Sequence, residues 1–302
     1  MEVQGYRSAM VSMEPELDIA HSTDTAGWRQ HVKRRTDAIH HYAVDDFGSD
    51  DVTLLTKSKR DERAFSVAYI AVLVPTAGLT AILLTVACGC YMRFSCPEHY
   101  PTVSYAAEFF PEYYVFTIGM LWTAYFIHVT ARQFSIYLAR RIAGPLPKIY
   151  AATSLMATSS LCVLALFDHK RYHDIHVVAT IVFFVAAWVL ISIGQVGRFR
   201  ALSKPMLRAY RQGTACIIAG IFFSAGFGYT FLAVNGYISN PLGFSKVLEA
   251  ACELLAIVCQ LFYMGTLFPN LHSEPQVDDM RATDLLKVGA AIIAVVVGMA
   301  WW

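Results

Sequence analysis

The chain has 302 residues, of which 56% are hydrophobic and only 16% are charged. Soluble domains carry about 25% charged residues, so this composition indicates that lipid surrounds much of the chain. The formal net charge of +1 gives no support to a nucleic-acid partner. The sequence also lacks a Gly-rich phosphate loop and a CxxC pair, so no cofactor and no bound metal are expected.

The first sixty residues differ from the rest of the chain because they contain no long apolar run. No charged segment followed by an apolar segment opens the chain, so no cleavable signal peptide is predicted. Residues 1–60 are interpreted as a flexible arm. Residues 61–270 form the predicted membrane domain. Residues 271–302 are interpreted as a tail that ends in an apolar segment.

Six apolar segments are long enough to cross a bilayer as helices, which requires about 20 residues each. Lipid cannot satisfy an open strand edge, so each crossing segment is predicted to be helical. The six segments are Ala64–Cys90, Tyr113–Tyr137, Leu146–Phe167, Ile175–Val196, Thr214–Val234 and Phe244–Leu267. The predicted fold is therefore an all-α polytopic membrane protein with a bundle of six transmembrane helices.

A seventh apolar segment, Leu285–Trp302, ends the chain. It is long enough to span the bilayer only if it stands nearly upright. The alternative is that it lies in the interface, with Trp301 and Trp302 as anchors. Both readings remain open from the sequence.

The lysine and arginine residues beside the spans predict the orientation of the bundle. Twelve of them lie before span one, between spans two and three, and between spans four and five. Only four lie beside the opposite ends: Arg93, Lys170, Arg171 and Lys246. The N-terminus and the first group of loops are therefore predicted to be cytosolic. The loops after spans one, three and five are predicted to face the lumen or the exterior.

Polar residues inside a membrane are costly to bury, and the conspicuous ones of this chain collect on the predicted luminal side. His176 begins span four, and Glu249 and Glu253 lie four residues apart on one face of span six. The loop after span one adds Glu98, Glu108 and Glu112. A shared site at the luminal surface is one hypothesis. The alternatives are that Glu249 only lies at headgroup level and that His176 only caps its helix or pairs with a carboxylate.

Three histidines of one luminal loop suggest a zinc site. His169, His173 and His176 are spaced by four and three residues, which suits one face of a helix. Lys170 and Arg171 lie between them and would oppose a bound cation. These two cations therefore favour a solvated polar loop that flanks a helix, and no metal is predicted.

Two further pairs in the first luminal loop leave alternatives open. His99 and Ser104 suggest a base and a nucleophile, but nothing in their spacing orders them. Cys90 and Cys96 lie six residues apart on the luminal side. An oxidising compartment allows a disulfide between them, and pairing with another cysteine, for example Cys88, is the alternative.

Four short motifs, taken in chain order, resemble one family of six-span membrane proteins. YPTVSYA covers Tyr100–Ala106, and Pro111–Glu112 follows at the entry to span two. IHVVATIVF covers Ile175–Phe183, and LEAACELL covers Leu248–Leu255. Together they resemble the Frag/DRAM/Sfk family, and most closely its members that remodel glycosylphosphatidylinositol (GPI) anchors. The resemblance covers about residues 60–270.

The resemblance implies a set of site residues. His176 and Glu253 fall on the family's histidine and glutamate, so they are predicted to be catalytic and to lie near each other. The first luminal loop is predicted to close over a polar lipid headgroup. The predicted headgroup-binding residues are Tyr100, Pro101, Ser104, Glu112 and Glu249.

The implied activity is reacylation of a lyso-GPI intermediate at the luminal face of the Golgi or endoplasmic reticulum membrane. Its implied partners are the GPI headgroup and an acyl donor lipid. The residues leave open whether the chain itself catalyses the transfer, because no firm acyltransferase motif is present. The alternative function is that of a non-enzymatic membrane modulator in autophagy or phosphoinositide signalling. Such a modulator would act through the cytosolic arm, the basic loop and the tail.

Overall fold

The computed structural model describes residues 67–96, 98–201, 206–273 and 282–300. Within these ranges all regular structure is helical. The predicted arm, residues 1–60, lies outside the described residues. A 3₁₀ helix (Val67–Tyr69) precedes α1 (Ile70–Met92), α2 (Val103–Ala106), α3 (Glu112–Arg141), α4 (Leu146–Leu166), α5 (His173–Arg200), α6 (Leu207–Val234), α7 (Lys246–Gly265), α8 (Phe268–His272) and α9 (Ala282–Ala300).

Six stretches of the described chain are helical, long and apolar enough to cross a membrane: α1, α3, α4, α5, α6, and α7 continued by α8. This finding confirms the six predicted spans and the all-α fold class. Several helices are longer than their apolar cores because polar residues extend them past the hydrocarbon. Thus α3 continues to Arg141, α5 continues to Arg200 and α6 already begins at Leu207. Long basic side chains at such ends reach the headgroups while their stems stay in apolar surroundings.

The spanning helices pack as neighbours in the order α5, α4, α3, α1, α7, α6, and α5 also contacts α6 and α7 less extensively. Gly119 on α3 allows a close approach to α1, because a Cβ at this position would overlap Ala81. Membrane bundles use small residues at such crossings, since close packing rather than the hydrophobic effect joins their helices. Extensive contacts thus join each helix to the next from α5 through α4, α3, α1 and α7 to α6. The contacts of α5 with α6 and α7 are sparse.

The C-terminal apolar segment forms α9 and packs along α3. Gly289 lies at the crossing, where a Cβ would be 2.6 Å from Tyr125 and 3.0 Å from Trp122. Both aromatic residues lie in the middle part of α3. The segment thus reaches the middle depth of the bundle, which favours the spanning alternative over the interfacial one.

The bundle has two chemically different ends. The acidic end contains the loops 93–111, 167–172 and 235–245, and the basic end contains the loop 142–145 and residues 266–273. Between residues 67 and 273, the acidic side chains that the structure describes all belong to the acidic end: Glu98, Glu108, Glu112, Asp168, Asp174, Glu249 and Glu253. The exposed cations of the basic end are Arg140, Arg141, Lys148, Arg200, Arg208 and Arg211.

This asymmetry leads to an expected topology, in which the acidic end faces the lumen or exterior and the basic end faces the cytosol. A glycosylation acceptor sequence inserted at Tyr237, which is 71% exposed at the acidic end, should be modified. The same sequence inserted at the exposed Gly144 of the basic end should not be modified. Gel mobility before and after glycosidase treatment measures both insertions. Modification at Gly144 alone would reverse the assignment.

Candidate functional site

The first loop of the acidic end, residues 93–111, is fastened to α1 at its start. A disulfide joins Cys90 in the last turn of α1 to Cys96 in the loop. Of the two alternatives that the sequence leaves open, the structure has the disulfide. Between these cysteines, Arg93 donates a hydrogen bond from Nη2 to the carbonyl oxygen of Phe110 at 2.7 Å. The two ends of the loop are therefore held close together.

The middle of the loop forms α2, which lies within the YPTVSYA motif. Thr102 caps this helix, and its Oγ1 accepts a hydrogen bond from the Tyr105 N–H at 3.3 Å. Val103 donates its backbone N–H to Oε2 of Glu253 on α7 at 2.8 Å. Glu253 is only 5% exposed, so this hydrogen bond is shielded from water. Glu253 therefore fastens the loop helix to span six.

Three predicted headgroup-binding residues belong to this stretch of the loop. Pro101 is buried, and Tyr100 and Ser104 are half-buried. In the described part of the chain the Ser104 hydroxyl has no hydrogen-bond partner. His99, its predicted partner, instead lies 3.0 Å from the hydroxyl of Ser95. The structure therefore shows no base–nucleophile pair at Ser104, and its hydroxyl is available to a ligand.

Glu112 opens α3 and is completely buried, at 0% exposure. Its Oε1 lies 3.5 Å from Nε of Arg93. Among the described residues, neither carboxylate oxygen has a hydrogen-bond partner. A carboxylate in the first turn suits the helix dipole, but a buried ion pair needs further hydrogen bonds to offset its desolvation. The contacts of Glu112 with the described residues therefore do not fully offset the free-energy cost of burying its carboxylate.

The second loop of the acidic end brings three histidine rings together. The ring of His169 lies 4.4 Å from that of His173 and 5.5 Å from that of His176, measured between centroids. His169 also hydrogen-bonds through Nδ1 to Oε1 of Glu108 in the first loop. No group of histidine, cysteine and carboxylate side chains in the described ranges is arranged to bind a metal ion. The cluster instead joins the first loop to the second.

The ring of His176 is held in one orientation. Its Nδ1 lies 2.8 Å from the carbonyl oxygen of Phe167. A carbonyl oxygen only accepts hydrogen bonds, so Nδ1 carries the proton and Nε2 has the lone pair in the neutral ring. His176 is 3% exposed, and Nε2 has no hydrogen-bond partner in the described part of the chain. A buried, oriented and unpartnered imidazole nitrogen is suited to accept a proton from a bound hydroxyl.

The first loop connects the two predicted catalytic residues. Glu253 binds the loop at Val103, and His176 lies beside His169, which binds the loop at Glu108. No hydrogen bond or ion pair links Glu253 to His176 directly within the described residues. The nearness of the two side chains stays a prediction. Glu253 holds the loop through its hydrogen bond with Val103, and the carbonyl oxygen of Phe167 orients the ring of His176.

Glu249 lies one turn before Glu253 at the start of α7. Ser245 caps this helix by accepting a hydrogen bond from the Leu248 N–H at 3.3 Å. Glu249 is 6% exposed. Because residues four apart share a helix face, Glu249 lies between Glu253 and the membrane surface. Its role in headgroup binding stays a prediction.

From the sequence, Arg93 counts only as evidence for orientation, and Lys170 counts as evidence for orientation and against a metal site. The guanidinium carbon of Arg93 lies 4.8 Å from the ring centroid of Phe109, and Nζ of Lys170 lies 5.8 Å from the same centroid. One signal was present in the sequence. This signal is that basic residues are rare on this side of the bundle. Only the structure shows that two of the four meet at one aromatic ring.

Comparison with known proteins supports the family resemblance. No curated protein and no solved structure matches the chain at a significant level. Residues 64–274 match the model of the Frag1/DRAM/Sfk1/Cwh43P N-terminal domain. The match contains all six spans and the two loops that meet at the acidic end. The chain therefore belongs to the Frag1/DRAM/Sfk1/Cwh43P family of membrane proteins.

Proposed function

We propose that the chain remodels the lipid part of GPI anchors, by reacylating a lyso-GPI intermediate at the luminal face of the Golgi or endoplasmic reticulum membrane. Family membership supports a role of this kind. The observation that carries the proposal is the network at the acidic end. There the buried Glu253 and Glu112 contact one loop at Val103 and Arg93. The buried His176 lies beside His169, which binds the same loop at Glu108. This is the level at which a lipid headgroup lies, and GPI anchors face the lumen.

In this proposal His176 is the base. The free hydroxyl of the lyso-lipid gives its proton to Nε2 while its oxygen attacks the ester carbonyl of an acyl donor lipid. A new ester bond forms, the donor's ester bond breaks, and the departing oxygen of the donor takes the proton back from His176. The transfer is balanced without an oxidant or a metal. A positioned base of this kind contributes about 10²- to 10⁴-fold to a rate.

The first loop supplies the contacts to the headgroup. Tyr100 and Pro101 form its apolar side, since tyrosine rings suit the membrane interface while their hydroxyls reach polar groups. Ser104 offers a free hydroxyl. Glu112 and Glu249 offer carboxylates to the sugar and inositol hydroxyls or the amines of a GPI headgroup. The carboxylate of Glu112 has no hydrogen-bond partner among the described residues, and a bound headgroup would supply donors to it.

Loss of the chain is expected to release GPI-anchored proteins from the cell surface. A lyso-anchor has one acyl chain, and a single chain gives only marginal binding at about 0.8 kcal/mol per buried CH₂. Deleting the gene should therefore lower a GPI-anchored reporter at the surface and raise it in the medium. Flow cytometry, assay of the medium and mass spectrometry of the anchor lipids measure the three quantities.

A reporter with a transmembrane helix instead of a GPI anchor serves as the control and should not change. Re-expression of the chain should restore the anchor lipids. If surface level, medium and anchor lipids all stay the same in the deletion, the GPI proposal fails. The alternative of a non-enzymatic membrane modulator would then remain.

A further inference from the structure

We propose that Arg93 and Lys170 form a binding site for the phosphodiester of a lipid headgroup. The site rests on the proposed function and deepens it, because it names the part of the substrate that the acidic end recognises. The two cations come from different loops of the acidic end and share Phe109 as a neighbour.

Arg93 is held on three sides. Nη2 donates to the Phe110 carbonyl oxygen at 2.7 Å, Nε lies 3.5 Å from Glu112, and the guanidinium carbon lies 4.8 Å from the Phe109 ring centroid. No described residue partners Nη1, and the side chain of Arg93 is 39% exposed. A guanidinium fixed in this way presents its remaining N–H groups to a ligand with little further loss of conformational freedom.

Lys170 approaches the same ring from the second loop, with Nζ 5.8 Å from the Phe109 centroid. The neighbouring residues His169 and Glu108 are hydrogen-bonded to each other. Two adjacent contacts therefore fix the position of one loop against the other. The guanidinium carbon of Arg93 and Nζ of Lys170 are separated by no more than the sum of their two distances to the Phe109 centroid. Within the described residues no carboxylate forms an ion pair with Lys170.

A phosphodiester suits this pair of cations. It carries one negative charge and two free oxygens, which Arg93 and Lys170 can each contact. Arg93 directly follows α1, so it lies at headgroup level. Lys170 directly follows His169, whose ring is 5.5 Å from that of His176. The phosphate would thus lie at the same end of the bundle as the proposed base, and the glycerol hydroxyl of a lyso-lipid is only a few bonds from its phosphate.

The buried carboxylate of Glu112 positions Arg93 for the ligand. Glu112 is 0% exposed, has no hydrogen-bond partner among the described residues, and contacts Arg93. It orients the guanidinium and offsets part of its charge when the site is empty. An ion pair that only fastened the loop would not involve Lys170, which is exposed and contacts only the ring. Substitution of Lys170 therefore distinguishes a ligand-binding site from an ion pair that only fastens the loop.

The test measures binding to the full chain purified in a neutral detergent. The probes are lysophosphatidylinositol, a monoacylglycerol with the same acyl chain but no phosphate, and inorganic phosphate. We expect Lys170→Gln to weaken lysophosphatidylinositol binding about three- to tenfold and Arg93→Gln to weaken it about tenfold or more. Monoacylglycerol binding should not change. Inorganic phosphate should bind at least about tenfold more weakly than the lysolipid, because it lacks the acyl chain.

Arg171→Gln is the matched control. It removes the same charge from the next residue, whose side chain is 81% exposed and faces Asp168 at 4.0 Å. Its effect on lysophosphatidylinositol binding should be less than twofold. Equal losses for Lys170→Gln and Arg171→Gln would show general electrostatic attraction and overturn the site. Inorganic phosphate binding as tightly as the lysolipid would overturn the assignment to a lipid.

The phosphate site and the GPI function can fail separately. Unchanged anchor lipids in the gene deletion, together with a loss of lysophosphatidylinositol binding by Lys170→Gln, would remove the function and keep the site. Altered anchor lipids in the deletion, together with unchanged binding by Lys170→Gln, would keep the function and remove the site. If Arg93→Gln does not fold, Lys170→Gln still decides, because Lys170 is exposed.

Discussion

Arg198→Ala should lower the free energy of unfolding by about 3–5 kcal/mol. Arg198 lies on α5 and is only 2% exposed. It donates from Nη1 to the Thr266 hydroxyl at 2.9 Å and from Nη2 to the Thr266 carbonyl oxygen at 3.1 Å. Thr266 directly follows α7, and a cation at a helix C-terminus also interacts favourably with the helix dipole. The alanine variant loses these bonds where the contacts between α5 and α7 are sparse, and it leaves a cavity.

Two further variants separate the hydrogen bonds from the packing. Arg198→Met keeps most of the volume but leaves the Thr266 carbonyl without this donor, so it should lose about 1–3 kcal/mol. Arg200→Ala is the control, because Arg200 is exposed on the same helix, and its effect should stay within about 0.5 kcal/mol. Thermal and denaturant unfolding in detergent, followed by tryptophan fluorescence, measures all three variants. Equal stabilities of Arg198→Ala and Arg200→Ala would contradict a stabilising role for the contact between Arg198 and Thr266.

Glu253→Ala is expected to reduce GPI remodelling about tenfold or more. The Glu253 carboxylate accepts the Val103 N–H at 2.8 Å and fastens the loop helix over the site. The alanine variant leaves the buried Val103 N–H without this acceptor, which costs about 1–3 kcal/mol and corresponds to roughly a tenfold effect on the population of the closed loop. The measurement is rescue of the deletion, with anchor lipids read by mass spectrometry and the amount of chain read by immunoblot.

Glu253→Gln tests the charge on this residue. Glutamine keeps an oxygen that can accept the Val103 N–H, so a smaller loss than with alanine is expected. A loss as large as with alanine would show that the negative charge itself is needed. Glu98→Ala is the control, since Glu98 is an exposed carboxylate of the same loop. Full rescue by Glu253→Ala would make the loop contact irrelevant to function.

Long apolar segments separated by polar stretches were enough to predict the six spans, because the requirement for crossing a bilayer is local in sequence. A helix crossing lipid needs about 20 apolar residues and satisfies its own backbone hydrogen bonds. The ends of the helices were less predictable. The helix α6 begins at Leu207 rather than Thr214, since polar residues that do not belong to the hydrocarbon still continue the backbone pattern of the helix. The family motifs drew attention to His176 and Glu253, because a motif is also a local pattern.

The contacts of these residues depended on the tertiary structure. Glu253 meets a backbone N–H 150 residues away in the chain, and Lys170 meets Phe109 across two loops. Arg198 counted in the sequence only as one of the basic residues that orient the bundle, yet the fold buries it against Thr266. Spacing along one helix states which residues share a face, but it does not state which neighbour that face meets. The packing of all six helices decides the neighbour, so the sequence by itself determined the spans and the family, and the tertiary structure decided which residues contact one another at the acidic end.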